Sequence, residues 1–197
     1  KKLNHHKIIM FASTHKGEEE LFINFIKNII KTNRNLKIII APRHIDRSTS
    51  ILENFKKENI RSIFFEDSLN LEEDLFIVKS FGKMALFYSL SDIVILGGSF
   101  VNLGGHNPME PAQNNCVVIT GPHIYNWQDI FLDMKNNKAC IICEEIIELE
   151  NIVNNLFQDF DQINSLKKLS KKFADNNFFE IENLTNKIHS YLKEIKC

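Results

Sequence analysis

The sequence is poor in the residues that mark several large classes of protein. Of its 197 residues, only seven are glycine, four are proline and four are cysteine, so collagen-like repeats and low-complexity disorder are excluded. No apolar run reaches the roughly 18–20 residues of a membrane-spanning helix, so we expect a soluble chain whose membrane contacts are only peripheral. Because 24 Lys and Arg residues nearly balance 25 Asp and Glu residues, we expect no nucleic-acid partner.

Three nucleotide and hydrolase motifs are also missing. No Gly-x-Gly-x-x-Gly follows the first predicted strand, no P-loop Gly-Lys-Ser/Thr occurs, and no Gly-x-Ser-x-Gly elbow is present. Dinucleotide dehydrogenases, P-loop NTPases and α/β-hydrolases are therefore disfavoured. The sequence also shows no obvious base paired with a nucleophile.

A CxxC motif, Cys140 to Cys143, is the one pattern that suggests a metal. No second ligand pair is spaced to complete a zinc site. The intervening isoleucines indicate a buried strand, in which free cysteine behaves as a small apolar residue. We therefore predict no metal, and a cysteine content of this kind fits a reducing compartment.

Short apolar runs alternate with amphipathic segments along most of the chain. This pattern predicts a doubly wound, Rossmann-like parallel sheet in one domain over residues 1–197, with a helical tail over 145–197. The predicted strands are 7–12, 36–41, 61–66, 75–78, 93–96, 116–119 and 139–143, and the helices between them include one with Leu21 to Ile30 on its inner face, 46–59, 83–91 and a short one from Asn107.

The loops that leave the strands carry the unusual residues, and ligands of such sheets bind beyond these strand ends. In the run 104–111, Gly-Gly-His-Asn-Pro-Met-Glu-Pro, we predict Asn107 as the helix N-cap, Pro108 as the first helical residue and Glu110 as the third. A capping box alone would account for those three residues. The two glycines, the histidine and the second proline favour a ligand site, in which Glu110 accepts hydrogen bonds from sugar hydroxyls.

Two other loops have weaker signals. The turn Gly82 to Met84 opens a helix without an acidic first turn, which leaves amides for an anion or a base, although by itself it indicates a plain turn. Arg43 suits a phosphate or carboxylate, but an ion pair with Asp46 is an equally good interpretation. The glutamates at 18–20 complement their own helix dipole, so that helix start is predicted to be a poor phosphate site.

Four ordered motifs carry a resemblance to a known family. They are Ala12 to Glu19, Pro42 to His44, Gly82 to Met84 with Leu86 to Tyr88, and the run from Gly97 to Ala112 with Gly121 to His123. Together they resemble the motifs of 3-deoxy-D-manno-octulosonic acid (Kdo) transferases, and four motifs in order are more specific than any one alone.

The resemblance implies a GT-B glycosyltransferase that moves Kdo from CMP-Kdo to the lipid A precursor in lipopolysaccharide biosynthesis. It implies inversion at the anomeric carbon, no cofactor or metal, and action at the cytoplasmic face of the bacterial inner membrane. By matched position, the expected CMP-binding residues are Pro42, Arg43, Gly82, Lys83, Met84, Asn107, Pro108, Met109 and Glu110. The expected sugar-lining residues are Ser13, Thr14, His15, Gly98, Ser99, Gly105 and His106.

The resemblance covers only the donor-binding half of that family. The acceptor domain and the acidic general base of the family lie upstream of the motifs found here, so we expect the N-terminal acceptor domain to be absent and the chain alone to transfer nothing. Two alternatives stay open at this point: a GT-B transferase or epimerase that uses a UDP-sugar, and a non-catalytic nucleotide-binding module.

Overall fold

Seven strands form the centre of the computed structural model, which describes residues 6–65, 72–80 and 82–194, with side chains through Phe178. The strands are β1 (Lys7–Thr14), β2 (Leu36–Pro42), β3 (Ser62–Phe64), β4 (Leu75–Ile77), β5 (Ile93–Leu96), β6 (Val117–Thr120) and β7 (Ile141–Ile142). They form one sheet in the order β3-β4-β2-β1-β5-β6-β7. Every pairing in it is parallel.

The sheet winds in both directions from β1. The chain first builds β2, β3 and β4 on one side of β1, and then crosses to place β5, β6 and β7 on the other side. The strand order therefore reverses between β1 and β5, which pair from Ile9 with Ile93 to Ala12 with Leu96. In an open parallel sheet, the carboxyl ends of the strands at this reversal frame the ligand crevice.

Helices cover both faces of the sheet. They are α1 (Glu18–Thr32), α2 (Ser48–Lys57), α3 (Met84–Leu90), α4 (Met109–Gln113), α5 (Gln128–Asn136), α6 (Glu148–Gln158) and α7 (Phe160–Glu194), and a single 3-10 turn over Ile45–Arg47 precedes α2. None of the helices that the structure describes is both long and apolar enough to cross a membrane.

Alternation along β1 divides the core into two layers. Phe11 points to the layer shared with α1, α2 and α6, where its ring lies 4.6 Å from that of Phe22. Met10 points to the opposite layer, with Phe87 of α3 and Phe131 of α5. Each of these side chains is fully buried, and burial of a side chain of this size contributes roughly 1.5–3 kcal/mol.

The predicted doubly wound sheet with its helical tail is confirmed. Several predicted elements differ from the observed ones at their ends. The helix predicted over 46–59 begins at Ser48 because the 3-10 turn takes up its first residues. The helix predicted from Asn107 begins at Met109, and the strand predicted over 61–66 ends at Phe64, with Glu66 outside the described residues.

Helix α5 is absent from the sequence-based prediction. It buries only Phe131 and Met134, an apolar stripe too short to stand out by periodicity. The side chains of the predicted helical tail beyond Phe178 lie outside the part that the structure describes, although the helical backbone of α7 extends to Glu194.

Candidate functional site

The candidate site lies at the carboxyl edge of the sheet, where the turns after β1 and β5 meet. The Gly97 amide donates to the Ala12 carbonyl at 2.8 Å, so the two strand ends run side by side. A Cβ on Gly97 would lie 2.4 Å from the Ser13 carbonyl oxygen, which means that only glycine lets the turn pass this closely. The Arg43 amide donates to the Thr14 carbonyl at 3.0 Å and brings the end of β2 to the same place.

A buried carboxylate holds the β1 and β5 turns together. Glu18, the first residue of α1, is fully buried. Its Oε2 accepts hydrogen bonds from the amides of His15 at 2.9 Å and Gly98 at 2.8 Å. Its Oε1 accepts from the amides of Ser99 at 3.1 Å and Phe100 at 3.0 Å. Four backbone donors thus compensate a buried charge that would otherwise destabilise the fold.

A second carboxylate of α1 ties the same turns to the segment after β2. Glu19 accepts a hydrogen bond from the Thr14 hydroxyl at 2.7 Å and from the Arg47 guanidinium at 2.6 Å. Thr14 and Glu19 are both buried. The structure therefore places Thr14 beneath the edge, with its hydroxyl already engaged, rather than facing a ligand.

Two histidines meet on top of this buried framework. The Nε2 atoms of His15 and His106 lie 2.9 Å apart, and the two rings are nearly parallel, with centroids 5.1 Å apart. His44 stands edge-on to His15 at 6.0 Å. A Cβ on Gly98 would lie 3.4 Å from both His15 and His106, so the glycine turn forms the floor under the pair.

The surroundings favour the neutral form of both rings. Burial lowers the pKa of His106 to about 4, and the neighbouring His15 and Arg43 act in the same direction, while a hydrogen bond to the Ser13 backbone opposes them. Burial also lowers the pKa of His15; Glu18 raises it, and the nearby cationic groups after β2 lower it. At neutral pH the pair can therefore donate or accept hydrogen bonds but contributes little positive charge.

Arg43 is a cation that the edge presents to solvent. It follows Pro42, the buried last residue of β2, and its side chain is exposed. Within the described ranges, no hydrogen bond or ion pair engages its guanidinium, so the alternative pair with Asp46 is not formed. A positioned guanidinium of this kind suits bidentate binding of phosphate or carboxylate.

The start of α4 presents the predicted acidic residue at the same edge. The Asn107 side chain accepts a hydrogen bond from the Met109 amide at 2.9 Å and caps the helix as predicted. The helix itself begins at Met109, one residue later than the predicted first helical residue, Pro108. Glu110 is exposed, and no hydrogen bond among the described residues joins it to the Asn107 amide. The capping box is therefore not formed, and the carboxylate remains available to a ligand.

The third predicted loop leads into α3, which packs against α4. Gly82 is exposed with φ 84°, and a Cβ there would meet nothing within 4 Å. Met84 begins the helix and is partly buried against the core. Burial, together with the charge of Glu110, raises the pKa of Tyr88, which places this helix beside the start of α4.

The remaining sugar-lining candidates divide into two groups. Ser99 is fully buried; its hydroxyl donates to the Leu96 carbonyl at 2.6 Å and accepts from the Gly121 amide at 2.8 Å. It therefore lies under the site. Ser13, by contrast, is partly exposed and leaves β1 with φ 59°, a left-handed conformation that non-glycine residues rarely adopt and that occurs at functional sites. Gly105 lies beneath the turn after β5, where its amide donates to the Gly98 carbonyl at 2.9 Å.

Sequence reasoning missed the framework beneath the site. It interpreted Glu18 and Glu19 as a complement to the helix dipole, whereas both are buried bridges to other loops. It assigned no role to His44 or Arg47, which surround His15. The run of three glutamates directly after Gly17 was the only local signal. It did not indicate burial, because glutamates at a helix start are rarely buried.

The cysteines lie away from the edge, in the core. Cys116, Cys140 and Cys143 are free and buried, as the sequence predicts for Cys140 and Cys143. Burial raises the pKa of Cys116 and of Cys140 to about 12 in each case. Across the described part of the chain, no group of three or more His, Cys, Asp or Glu side chains could hold a metal ion.

Comparison with known proteins adds sequence relatives to this geometry. No family model matches the chain. It is 33% identical to the 3-deoxy-D-manno-octulosonic acid transferase of Rickettsia felis over 195 residues, which are 98% of this chain and 41% of that protein. The chain thus spans about two fifths of the length of the curated relatives it matches.

Solved structures share the fold. The crystal structure of the C-terminal CMP-Kdo binding domain of WaaA from Acinetobacter baumannii matches with a TM-score of 0.82 at 24% identity, over 87% of this chain and 91% of that one. Anabaena Alr3699/HepE, in complex with UDP and glucose, matches with a TM-score of 0.65 at 12% identity, over 98% of this chain and 50% of that one. The predicted Rossmann-like half of a GT-B fold is thereby confirmed.

Proposed function

We propose a function that follows from one fact, namely that this chain belongs to the 3-deoxy-D-manno-octulosonic acid transferase family. The chain binds the nucleotide-sugar donor CMP-Kdo at the carboxyl edge of its sheet. The observation that carries the proposal is the position of Arg43. Its guanidinium is exposed and has no described partner, and its backbone amide is bound to the end of β1, one of the two strands at the reversal of strand order.

The nucleotide contacts follow from the loops around Arg43. We assign the cytidine to the loop from Gly82 to Met84, the ribose hydroxyls to Glu110, and the phosphate to Arg43. Pro42, Asn107, Pro108 and Met109 shape this surface. Because Glu110 is exposed at the first turn of a capped helix, its two oxygens can each accept a hydrogen bond from a ribose hydroxyl.

The sugar belongs beside the histidine pair. Ser13, His15 and His106 line this part of the edge, and the backbone at Gly98 and Gly105 forms the floor beneath them. Neutral imidazoles can donate to a carboxylate or hydroxyl without a fixed charge. Thr14 and Ser99, which we expected to line the sugar, instead support the turns from below, because both are fully buried.

Transfer of the sugar also needs a base for the acceptor hydroxyl and a binding site for the acceptor, and we assign neither to the residues named above. The acceptor hydroxyl attacks the anomeric carbon of Kdo while the bond from that carbon to the phosphate oxygen breaks, and CMP departs with added negative charge. Arg43 stabilises this charge. We assign removal of the acceptor proton, and binding of the lipid A precursor, to other parts of the longer transferases, so this chain alone binds the donor but does not transfer the sugar.

Calorimetric titration of the purified chain with CMP, UMP and UDP tests the proposal. We expect CMP to bind with at least tenfold higher affinity than UDP. A preference for UDP would favour a transferase or epimerase that uses a UDP-sugar, and would contradict the assignment. If Arg43→Ala and Glu110→Ala both leave CMP binding unchanged, the loops are structural and the site lies elsewhere.

A further inference from the structure

We propose that Glu18 is a positioning residue for the donor, because it seats His15 against His106 and occupies amides that would otherwise bind phosphate. The inference rests on the proposed function and deepens it, since it specifies which part of the edge meets the anionic groups of the donor. Neither role follows from the position of Glu18 at a helix start, and both follow from its contacts.

The first step concerns the turn after β5. Successive backbone amides after a strand at the reversal of strand order commonly cradle phosphate in doubly wound folds. Here the amides of Gly98, Ser99 and Phe100 converge instead on the carboxylate of Glu18, at 2.8 to 3.1 Å. An internal carboxylate competes for these donors with the advantage of an intramolecular ligand. The donor phosphate is therefore directed away from this turn, to Arg43.

The second step leads from Glu18 to the histidine pair. The same Oε2 atom accepts from the amides of His15 and Gly98, so one atom bridges the β1 and β5 turns. The His15 ring then meets His106 at 2.9 Å between their Nε2 atoms, above Gly98. Among the described hydrogen bonds, those to this carboxylate are the ones that link the His15 amide to the amides of the β5 turn.

The third step concerns charge. A carboxylate beside an anionic sugar would repel it if it were exposed. Glu18 is fully buried and its oxygens accept four backbone hydrogen bonds. The amides of the turns therefore compensate its charge, and the carboxylate does not face the ligand. Glu20 in the same helical turn is exposed and provides a matched control.

The test compares Glu18→Gln with Glu20→Gln in the full chain. The glutamine side chain has the same size, but its NH2 group replaces one carboxylate oxygen and donates, so it cannot accept from two of the four backbone amides. Two measurements are needed: the midpoint of the His106 titration by NMR, and the affinities for CMP and for CMP-Kdo by calorimetry. They separate positioning from general stability, because only positioning affects the sugar selectively.

For Glu18→Gln we expect the His106 midpoint to rise toward 6.5, because His15 moves away from it. We also expect CMP-Kdo binding to weaken at least tenfold and CMP binding less than threefold. Glu20→Gln should change none of these values. An unchanged His106 midpoint with unchanged CMP-Kdo affinity overturns the inference, and an equal loss for both ligands reduces Glu18 to a structural role, which overturns it as well.

If Glu18→Gln does not fold, the wild-type chain can be used to test the inference. In a titration of the nitrogen-15-labelled chain with CMP, the inference predicts that the amide signals of Gly98, Ser99 and Phe100 stay in place while the Arg43 guanidinium signal moves. Shifts of those three amides as large as the Arg43 shift overturn it. A wild-type chain that binds neither CMP nor CMP-Kdo refutes the proposed function and not this inference. In that case, and if Glu18→Gln does fold, the midpoint of the His106 titration in the variant still tests the link from Glu18 to the histidine pair.

Discussion

The Nε2 atoms of His15 and His106 lie 2.9 Å apart, although 91 positions separate the two residues in the chain. Their contact joins the turn after β1 to the turn after β5, at the reversal of strand order. A hydrogen bond between two Nε2 atoms needs one donor and one acceptor, so the two rings cannot both be protonated while it persists. Because two neutral rings attract an anion only weakly, we assign the attraction of the donor phosphate at neutral pH to the exposed Arg43.

We predict that this histidine pair makes the chain less stable in acid. The folded-state pKa of His106 is about 4 against an ordinary value of 6.5, so between these values the unfolded chain binds more protons than the folded chain. The contribution of His106 to the free energy of unfolding is complete above pH 6.5 and is lost as the pH falls toward 4. After allowance for the partial exposure of the ring, it amounts to about 1–2 kcal/mol.

Urea unfolding at pH 7 and pH 4.5 measures this effect. His106→Gln should lose less stability between the two pH values than the wild-type chain does. Equal losses in the two proteins would show that another group is responsible.

A second prediction concerns the exposed guanidinium. Arg43→Ala should weaken CMP binding at least tenfold, because a hydrogen bond to a charged group contributes about 1.5–3 kcal/mol, and should leave the melting temperature unchanged, since the side chain has no described partner. Arg34→Ala is the matched control, because Arg34 is also exposed but precedes β2 at the opposite edge. Calorimetry that shows equal affinities for the two variants would remove Arg43 from the site.

The acidic residue of α4 gives a third prediction. Glu110→Ala should lower the affinity for CMP about tenfold through loss of two ribose hydrogen bonds, each contributing roughly 0.5–1.5 kcal/mol. The same substitution should not change the affinity for a phosphate ion, which lacks the ribose. Glu53→Ala, at an exposed position in α2, should change neither value, and a similar effect of both substitutions on CMP would argue for a nonspecific charge effect.

The close approach of the turns after β1 and β5 gives a fourth prediction, on stability. Gly97→Ala should destabilise the chain by about 1–3 kcal/mol, the range for overpacking, because the new Cβ would lie 2.4 Å from the Ser13 carbonyl oxygen and 2.6 Å from the Thr14 Cα. Gly82→Ala meets nothing within 4 Å, so only its positive φ opposes the substitution and the loss should be smaller. Denaturant unfolding would rank the two variants, and the reverse order would contradict the close approach of the two turns.

Much of the fold could be predicted because its signals are local. The strand β5 is a continuous apolar run, and α1 has its apolar residues on one face, so strand and helix could be distinguished by pattern alone. Helix α5 could not, because it buries only Phe131 and Met134. The edge at which ligands bind then followed from the alternation of strands and helices.

The framework of the site could not be predicted in the same way. Whether Glu18 faces water or four backbone amides depends on how β1 and β5 are placed beside each other, and the amides at 98–100 carry no sequence signature of their own. Ser99 shows the opposite error: the motif suggests a ligand contact, whereas its hydroxyl is used between Leu96 and Gly121. Motifs identify the loops of a site, but the packing of the loops decides which members face the ligand.

A crystal structure of the chain with CMP tests the central claim most directly. We predict the phosphate within hydrogen-bond distance of the Arg43 guanidinium and the ribose hydroxyls within that distance of the Glu110 carboxylate, at the carboxyl edge of the sheet. CMP bound elsewhere, for example in the groove that His6, Asp92 and Phe157 line near the amino ends of β1 and β5, with the carboxyl edge empty, would contradict the account.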